Sequence, residues 1–189
     1  MGNDPNHGSS SSHSIFMTSR GGGRYDRTFM EAFIRPGDTE EDWVERDNTP
    51  ALGLVPAANG RDMYIYRMSH YGQPASHLSR YTLRLDGFVS VHASYTGGEL
   101  MTKPFRFDGS ELEINYESSA AGEIRVELQD EEGKLIPGFS AQACDPIFGN
   151  EISRVVRWSG SADLTTLAGQ PIRMRVIMRD GDLFSFRFR

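Results

Sequence analysis

The most informative stretch of this chain reads Ser79-Arg-Tyr-Thr-Leu-Arg-Leu-Asp-Gly-Phe-Val-Ser-Val-His-Ala93. Apolar and polar residues alternate on both sides of Asp86-Gly87, a dipeptide that favours a tight turn. Such alternation is typical of strands that bury one face and expose the other. The stretch therefore predicts two half-buried strands joined as a hairpin.

The same alternation continues toward the carboxyl terminus, with turn signals at short intervals. Trp158 is expected in the core that these strands form. The other expected inward-facing residues are Leu112, Ile114, Tyr116, Ile124, Val126, Leu128, Ile172, Met174, Val176, Met178, Phe184, Phe186 and Phe188. One-sided antiparallel strands bury their apolar faces against each other. We therefore expect an all-β fold, with an antiparallel two-sheet β-sandwich of jelly-roll-like type over residues 76–189.

The amino-terminal part of the chain has a different composition. Residues 1–14 contain nothing apolar after Met1, so we expect a disordered polar tail. Residues 15–75 hold short apolar runs broken by turn residues, and Asn59-Gly60 is a strong hairpin signal. This segment is expected to be a short β region that precedes the sandwich.

Charge and composition exclude several classes of function. The chain has 20 basic and 26 acidic residues and a net charge of −6, which argues against nucleic acid or an anionic membrane as the partner. No run approaches the roughly 20 apolar residues of a membrane span, and the first fifteen residues lack a signal core. We expect a soluble chain without a signal peptide, of unknown location. The single cysteine, Cys144, cannot form an internal disulfide, and no motif indicates a cofactor.

Three histidines could gather near one edge of the sheet. His70, His77 and His92 follow one another at spacings unlike those of metal-binding pairs. We expect them to be loop or edge residues and predict no metal site.

The surface offers candidate carbohydrate contacts. Trp43, in an acidic loop, and Tyr71 could present flat rings to a sugar. Arg173 and Arg175, in an outward-facing row with Arg179, could attract an acidic polysaccharide. The alternative is that these arginines pair across strands with glutamates; the candidates are Glu111, Glu113, Glu123 and Glu127.

The order of several motifs resembles the carboxyl-terminal third of bacterial proteins related to glycoside hydrolase family 32. The resemblance covers residues 15–189, and the turn at Gly21 departs from it because an acidic residue is usual there. The motifs that carry it are Phe16-Met-Thr-Ser-Arg20, Tyr25-Asp-Arg-Thr-Phe29, Glu31-Ala-Phe-Ile-Arg-Pro-Gly37, Trp43, Arg46, Pro50-Ala-Leu-Gly53, His70-Tyr-Gly72, Arg80-Tyr81, Arg84-Leu-Asp-Gly-Phe-Val-Ser-Val91 and Asp182-Leu-Phe-Ser-Phe-Arg-Phe188. It implies that residues 15–75 are the last strands of a five-bladed propeller and residues 76–189 the sandwich that follows it.

The resemblance also implies a chemistry. Glycoside hydrolases use two carboxyl groups about 5 to 9 Å apart, and Asn3-Asp4-Pro5-Asn6 is similar to the family's nucleophile motif, with His7 in place of its glycine. An acid such as Glu31, Asp26 or Asp47 could be the partner of Asp4. The family's two companion motifs are absent, since Asn48 follows Asp47 and Ala143 precedes Cys144.

Two functions remain open. A propeller blade takes roughly 40 to 50 residues, so the residues before the sandwich cannot close five blades. The first hypothesis is a glycosidase-related sandwich module, non-catalytic on its own, with a structural or carbohydrate-associated role. The alternative is an active family 32-like glycoside hydrolase that uses Asp4 and a second carboxylate. It would be completed by a separate propeller domain or by homo-oligomerisation. A protein-interaction module using exposed strand edges is not separable from the first hypothesis by sequence.

Overall fold

Strands and two short 3₁₀ turns are the regular elements of the computed structural model, which describes residues 12–43 and 48–189. All of the strand pairs are antiparallel in these ranges. The prediction of an all-β, sandwich-like fold is therefore confirmed. No helix within the same residues has the length and apolar character needed to cross a membrane. The chain divides into a first unit, residues 1–84, and a second unit, residues 85–189.

The first unit contains two small sheets. Its strands are β1 (Ser14–Ile15), β2 (Ala32–Ile34), β3 (Thr49–Pro50), β4 (Val55–Pro56), β5 (Asp62–Ser69) and β6 (His77–Arg84), and a 3₁₀ turn spans Glu40–Trp43. β1 pairs with β2, while β3, β4 and β6 all pair with β5. β5 is thus the central strand of the larger sheet in the described part of this unit.

The hairpin predicted at Asn59-Gly60 is confirmed. The dipeptide lies in the turn between β4 and β5, and Gly60 has φ of 65°, a conformation that glycine adopts without strain. The buried face of β5 begins as apolar, with Met63 and Ile65, and ends as polar, with Arg67 and Ser69. At the polar end of this face, the Arg67 guanidinium donates a hydrogen bond to the Ser69 hydroxyl.

The predicted tail ends in ordered structure. Residues 1–11 lie outside the described residues, but Ser14 begins β1, and its hydroxyl donates to the carbonyl of Asn48 at 2.9 Å. The Ser12 carbonyl accepts from the Asn48 side-chain amide at 2.7 Å. Ser12 and Ser14, which sequence composition assigns to the tail, are therefore held by the first unit.

The second unit is built on one antiparallel sheet. Its strands are β7 (Val91–Ala93), β8 (Gly98–Met101), β9 (Leu112–Asp130), β10 (Asn150–Val155) and β11 (Ile172–Phe188), and a 3₁₀ turn spans Thr165–Leu167. The strand order is β10-β9-β11-β7, and β8 also pairs with β11. The last strand is central, as the sequence predicts.

The two longest strands bend together and wrap one core. β9 and β11 pair from Leu112↔Phe188 to Asp130↔Ile172, and their register shifts between Arg179 and Gly181. A buried cluster of the described residues contains apolar side chains from both halves of β9, on either side of the bend. The bent ribbon therefore supplies both walls of a sandwich-like core.

The predicted core faces are largely confirmed. Trp158 is buried, packs its ring at 5.2 Å from Phe139, and donates its indole N–H to the Val126 carbonyl at 2.9 Å. Cys144 is also buried, and burial raises the pKa of its thiol. The buried strand residues are Leu112, Ile114, Tyr116, Ile124, Val126, Leu128, Ile172, Met174, Val176 and Met178, all of which the alternation predicts.

The expectation for the end of β11 is wrong in part. Leu183 is the buried residue there, and Phe186 is 38% exposed. The cause is the register shifts at the bend, because each shift changes which side chains face the core. Phe186 and Phe188 instead form a ring cluster at the core margin with Phe105, at centroid distances of 6.2 and 5.8 Å.

The hairpin predicted at Asp86-Gly87 is also wrong. β6 pairs with β5 in the first unit, whereas β7 pairs with β11 in the second. The two strands find separate partners, and Asp86, with φ of 56°, accepts a hydrogen bond from the Ser185 hydroxyl at 2.7 Å. The division between the two units falls after Arg84.

Candidate functional site

The four candidate catalytic carboxylates do not form a described pair. Asp4 and Asp47 lie outside the residues that the structure describes. Glu31 is exposed and forms an ion pair with Arg35 at 2.9 Å, and Asp26 accepts a hydrogen bond from the Thr28 hydroxyl at 2.5 Å. Asp26 and Glu31 are therefore surface residues of the first unit that already have polar partners.

Two of the candidate carbohydrate contacts lie on turns that a hydrogen bond connects. Trp43 is 53% exposed at the end of the 3₁₀ turn, and its indole N–H donates to the Gly37 carbonyl at 2.9 Å. Tyr71 is 59% exposed in the turn after β5. Gln73, in that same turn, donates its side-chain amide to the Glu41 carbonyl at 2.9 Å. We call these two turns, one carrying Trp43 and the other carrying Tyr71 and Gln73, the aromatic turn pair.

A buried acid lies beneath the aromatic turn pair. Asp42 accepts hydrogen bonds from the backbone N–H and the hydroxyl of Thr39, at 3.2 and 2.9 Å. This is a capping arrangement, in which the aspartate satisfies the free donor at the start of the 3₁₀ turn. Its other oxygen faces His70 Nε2 at 3.2 Å, so the same carboxylate connects the two turns. Sequence reasoning did not identify Asp42, although the Thr-x-x-Asp spacing was a visible signal.

Arg67 is the centre of a buried polar network in the first unit. Its guanidinium donates to Asn48 Oδ1 at 2.5 Å, to the Arg35 carbonyl at 2.9 Å and to Ser69 Oγ at 3.0 Å. Asn48, with φ of 76°, donates in turn to the Asp42 carbonyl at 3.3 Å. A side chain this buried needs such partners, because an unsatisfied polar group costs about 1 to 3 kcal/mol. The network joins β5 to the segments that carry the aromatic turn pair.

His70 adds strain to this region. Its backbone has φ of 53°, in the left-handed region that non-glycine residues avoid. Its ring lies 5.1 Å from the ring of His77, whose Nδ1 is 2.8 Å from the Ala75 carbonyl. Within residues 12–43 and 48–189, His70 Nδ1 is a buried atom without a hydrogen-bond partner.

The third histidine of the predicted trio has a separate environment. His92 is in the second unit, with Nδ1 at 3.2 Å from Asp182 Oδ1. No group of three or more potential metal ligands occurs in the described portion of the chain.

The titration of Asp42 gives a testable pH dependence. Burial by itself raises the pKa of Asp42, but the hydrogen bonds from Thr39 and His70 outweigh burial and hold the pKa below its ordinary value of 3.8. A carboxyl group with a lowered pKa stabilises the fold above its unfolded pKa and loses that contribution as the pH falls through the folded pKa.

We expect Asp42→Asn to cost about 1 kcal/mol at neutral pH, because a neutral amide makes weaker hydrogen bonds with Thr39 and His70 than the carboxylate does. We also expect it to reduce the loss of stability that wild type shows as the pH falls below about 4. Urea unfolding followed by circular dichroism at several pH values measures both effects. Asp38→Asn, at an exposed position of the same loop, is the control. An unchanged acid dependence in Asp42→Asn would contradict this account.

The candidate arginines of the second unit, Arg173 and Arg175, already have polar partners within the protein. Arg175 forms ion pairs with Glu99 at 2.6 Å and with Glu127 at 3.6 Å, and the hydrogen bond that it donates to Glu99 raises its pKa. Arg173 donates its Nε–H to the Glu131 carbonyl at 2.9 Å. The alternative of cross-strand pairing with a glutamate is confirmed for Arg175 and Glu127.

One glutamate of the second unit, which the sequence predicts only as a possible cross-strand partner of an arginine, is buried. Glu113 has a side chain only 4% exposed and pairs with Arg187 at 2.6 Å and Arg189 at 3.0 Å. Burial raises its pKa, yet the hydrogen bonds from Ser153 and Arg187 outweigh burial and lower it below its ordinary value. The alternation placed Glu113 on a wet face. The signal that could have found it is the pair of arginines on the last strand.

No protein-family model, curated protein or solved structure matches this chain. The resemblance to glycoside hydrolase family 32 therefore stays a prediction from the motifs.

Proposed function

We propose that this chain is a glycosidase-related binding module, non-catalytic on its own, with a carbohydrate-associated role. The observation that carries the proposal is the aromatic turn pair, since Trp43 and Tyr71 expose large rings on two turns joined by hydrogen bonds. The apolar face of a sugar packs on such rings, while its hydroxyls need polar groups beside them.

The hydrogen bonds that hold the two turns in place favour binding. Side chains that are already ordered lose less entropy when they meet a ligand, so a rigid site binds more tightly than a mobile one. Asp42 and Arg67 hold the turns through buried hydrogen bonds, and the indole N–H of Trp43 is fixed by Gly37. The ring face of Trp43 remains exposed for contact.

Two buried glutamates that form ion pairs with arginines favour a non-catalytic role. Glu113 and Glu127 are both buried, and both contact arginines of β11 across the sheet. Hydrogen bonds from Ser153 and Arg187 hold the pKa of Glu113 below its ordinary value, and a carboxyl group with a lowered pKa is a poor general acid at neutral pH. The ion pairs of Glu113 and Glu127 connect β9 to β11, which supports a structural role for the second unit.

We expect Trp43→Ala and Tyr71→Ala each to weaken glycan binding about tenfold or more, since a well-packed aromatic anchor contributes 2 kcal/mol or more at a binding site. A glycan array identifies an oligosaccharide ligand, and titration calorimetry measures its dissociation constant. Tyr95→Ala is the matched control, because Tyr95 is 65% exposed but belongs to the second unit.

Two results would overturn the proposal. Binding that survives unchanged in both variants would remove the aromatic turn pair from the site. Glycoside cleavage that is lost in Asp4→Asn would instead support an active hydrolase.

A further inference from the structure

A second potential site lies on the glycine-rich hairpin of residues 18–28, which we call the arginine hairpin. Thr18 and Asp26 close it with two backbone hydrogen bonds, of 3.0 and 2.8 Å. Gly21 and Gly22 have φ of 97° and 77°, and no atom lies within 4 Å of where their side chains would begin. The loop is therefore closed at its base and open around its glycines.

The surface of this hairpin forms an open depression of about 750 Å³ that is rich in positive charge. Arg20, Arg24 and Arg27 line it together with Tyr25, which is 66% exposed. Asp26 is the acid in this lining, and it already accepts a hydrogen bond from the Thr28 hydroxyl. The local balance is thus opposite in sign to the net charge of −6 for the whole chain.

The three arginines differ from most others in the protein. Within the described ranges, none of the three has an ion pair or a side-chain hydrogen bond. Arg35, Arg125, Arg154, Arg175, Arg187 and Arg189 each contact a glutamate. Like charges at one site repel each other, and the single carboxylate of Asp26 does not balance three guanidinium groups, so the arrangement favours an external anion.

We propose that the arginine hairpin binds a ligand carrying two or more sulfate or phosphate groups. Guanidinium groups present paired N–H donors that match the oxygens of such groups, and several guanidinium groups in one depression match a multiply charged ligand. Tyr25 adds a flat ring beside them. A sulfated sugar and a phosphorylated small molecule share this chemistry. The site uses none of the residues of the aromatic turn pair, so it does not depend on the proposed function.

The test uses the full chain and two probes, tripolyphosphate and a sulfated tetrasaccharide, each titrated at about 0.15 M salt. The triple variant Arg20→Gln, Arg24→Gln, Arg27→Gln should bind at least one probe about tenfold or more weakly than wild type does. The triple variant Arg35→Gln, Arg61→Gln, Arg80→Gln has the same change in net charge within the first unit and should bind as wild type does. Binding of one probe alone identifies the sulfated or the phosphorylated source.

Three results would overturn the inference: neither probe binds wild type, the two triple variants weaken binding equally, or hairpin substitution leaves binding unchanged. Arg24→Lys guards against a misfolded triple variant, because it keeps the charge and loses the paired donors. We expect it to bind several-fold more weakly than wild type and more tightly than Arg24→Gln. Equal binding by wild type and both single variants would also contradict the site.

Discussion

Replacing Arg67 with leucine is expected to destabilise the first unit by about 2 to 5 kcal/mol, because each buried acceptor left without its donor costs about 1 to 3 kcal/mol. Asn48 Oδ1 and the Arg35 carbonyl both accept from this guanidinium. Leucine fills part of the space and restores neither hydrogen bond. The aromatic turn pair should lose its support with the network, so glycan binding should fall as well.

Hydrogen exchange of the β5 and β6 amides measures this effect directly, since it reports local opening of the strands. Arg80→Leu is the matched control, because Arg80 is an exposed arginine of β6 whose guanidinium lies 4.6 Å from the Tyr64 ring. Such an exposed contact contributes only about 0.5 to 1 kcal/mol. If Arg67→Leu and Arg80→Leu show equal protection, the buried network does not hold the first unit.

Replacing Gly122 with alanine is expected to destabilise the second unit by about 3 kcal/mol or more, as severe overpacking does. A side chain here would begin 2.5 Å from the Asp180 carbonyl oxygen and 2.8 Å from that of Arg179. Both atoms belong to the backbone of β11, so neither can move aside without breaking the strand pairing. The bend that lets β9 and β11 wrap the core should open.

Gly98→Ala is the control for this prediction. Gly98 lies in β8 of the same unit, and its added side chain would meet only the Ala93 side chain, at an ordinary contact distance of 3.6 Å. We expect Gly98→Ala to change the free energy of unfolding by no more than about 1 kcal/mol. Any stabilisation would come from the unfolded chain, which alanine makes less flexible than glycine does. Urea unfolding of both variants, followed by Trp158 fluorescence in a Trp43→Phe background, compares them. Equal midpoints would show that the bend does not require glycine.

The exposed aromatic residues of the candidate site could be predicted from sequence, but the hydrogen bonds that hold their turns in place could not. Trp43 was expected to be exposed because it follows a run of acidic residues, and the structure agrees. The contact between its turn and that of Tyr71 depends on Asp42 meeting His70, 28 residues away, and on Gln73 meeting Glu41. No local pattern encodes such a meeting. The burial of Arg67 has no local signal either, because a buried charge depends on partners that are distant in sequence, here Arg35 and Asn48.

The alternation of the sequence predicted most of the side chains of β9 and β11 that face the core, since the period of two is a property of each strand alone. It did not predict the register shifts that expose Phe186 or the burial of Glu113. The alternation around Asp86-Gly87 likewise predicted strands on both sides, and both exist. Which strands pair depends on the whole fold, because hydrogen bonds between strands form with any neighbour that presents a free edge. That choice separated β6 from β7 and brought Glu113 beside two arginines.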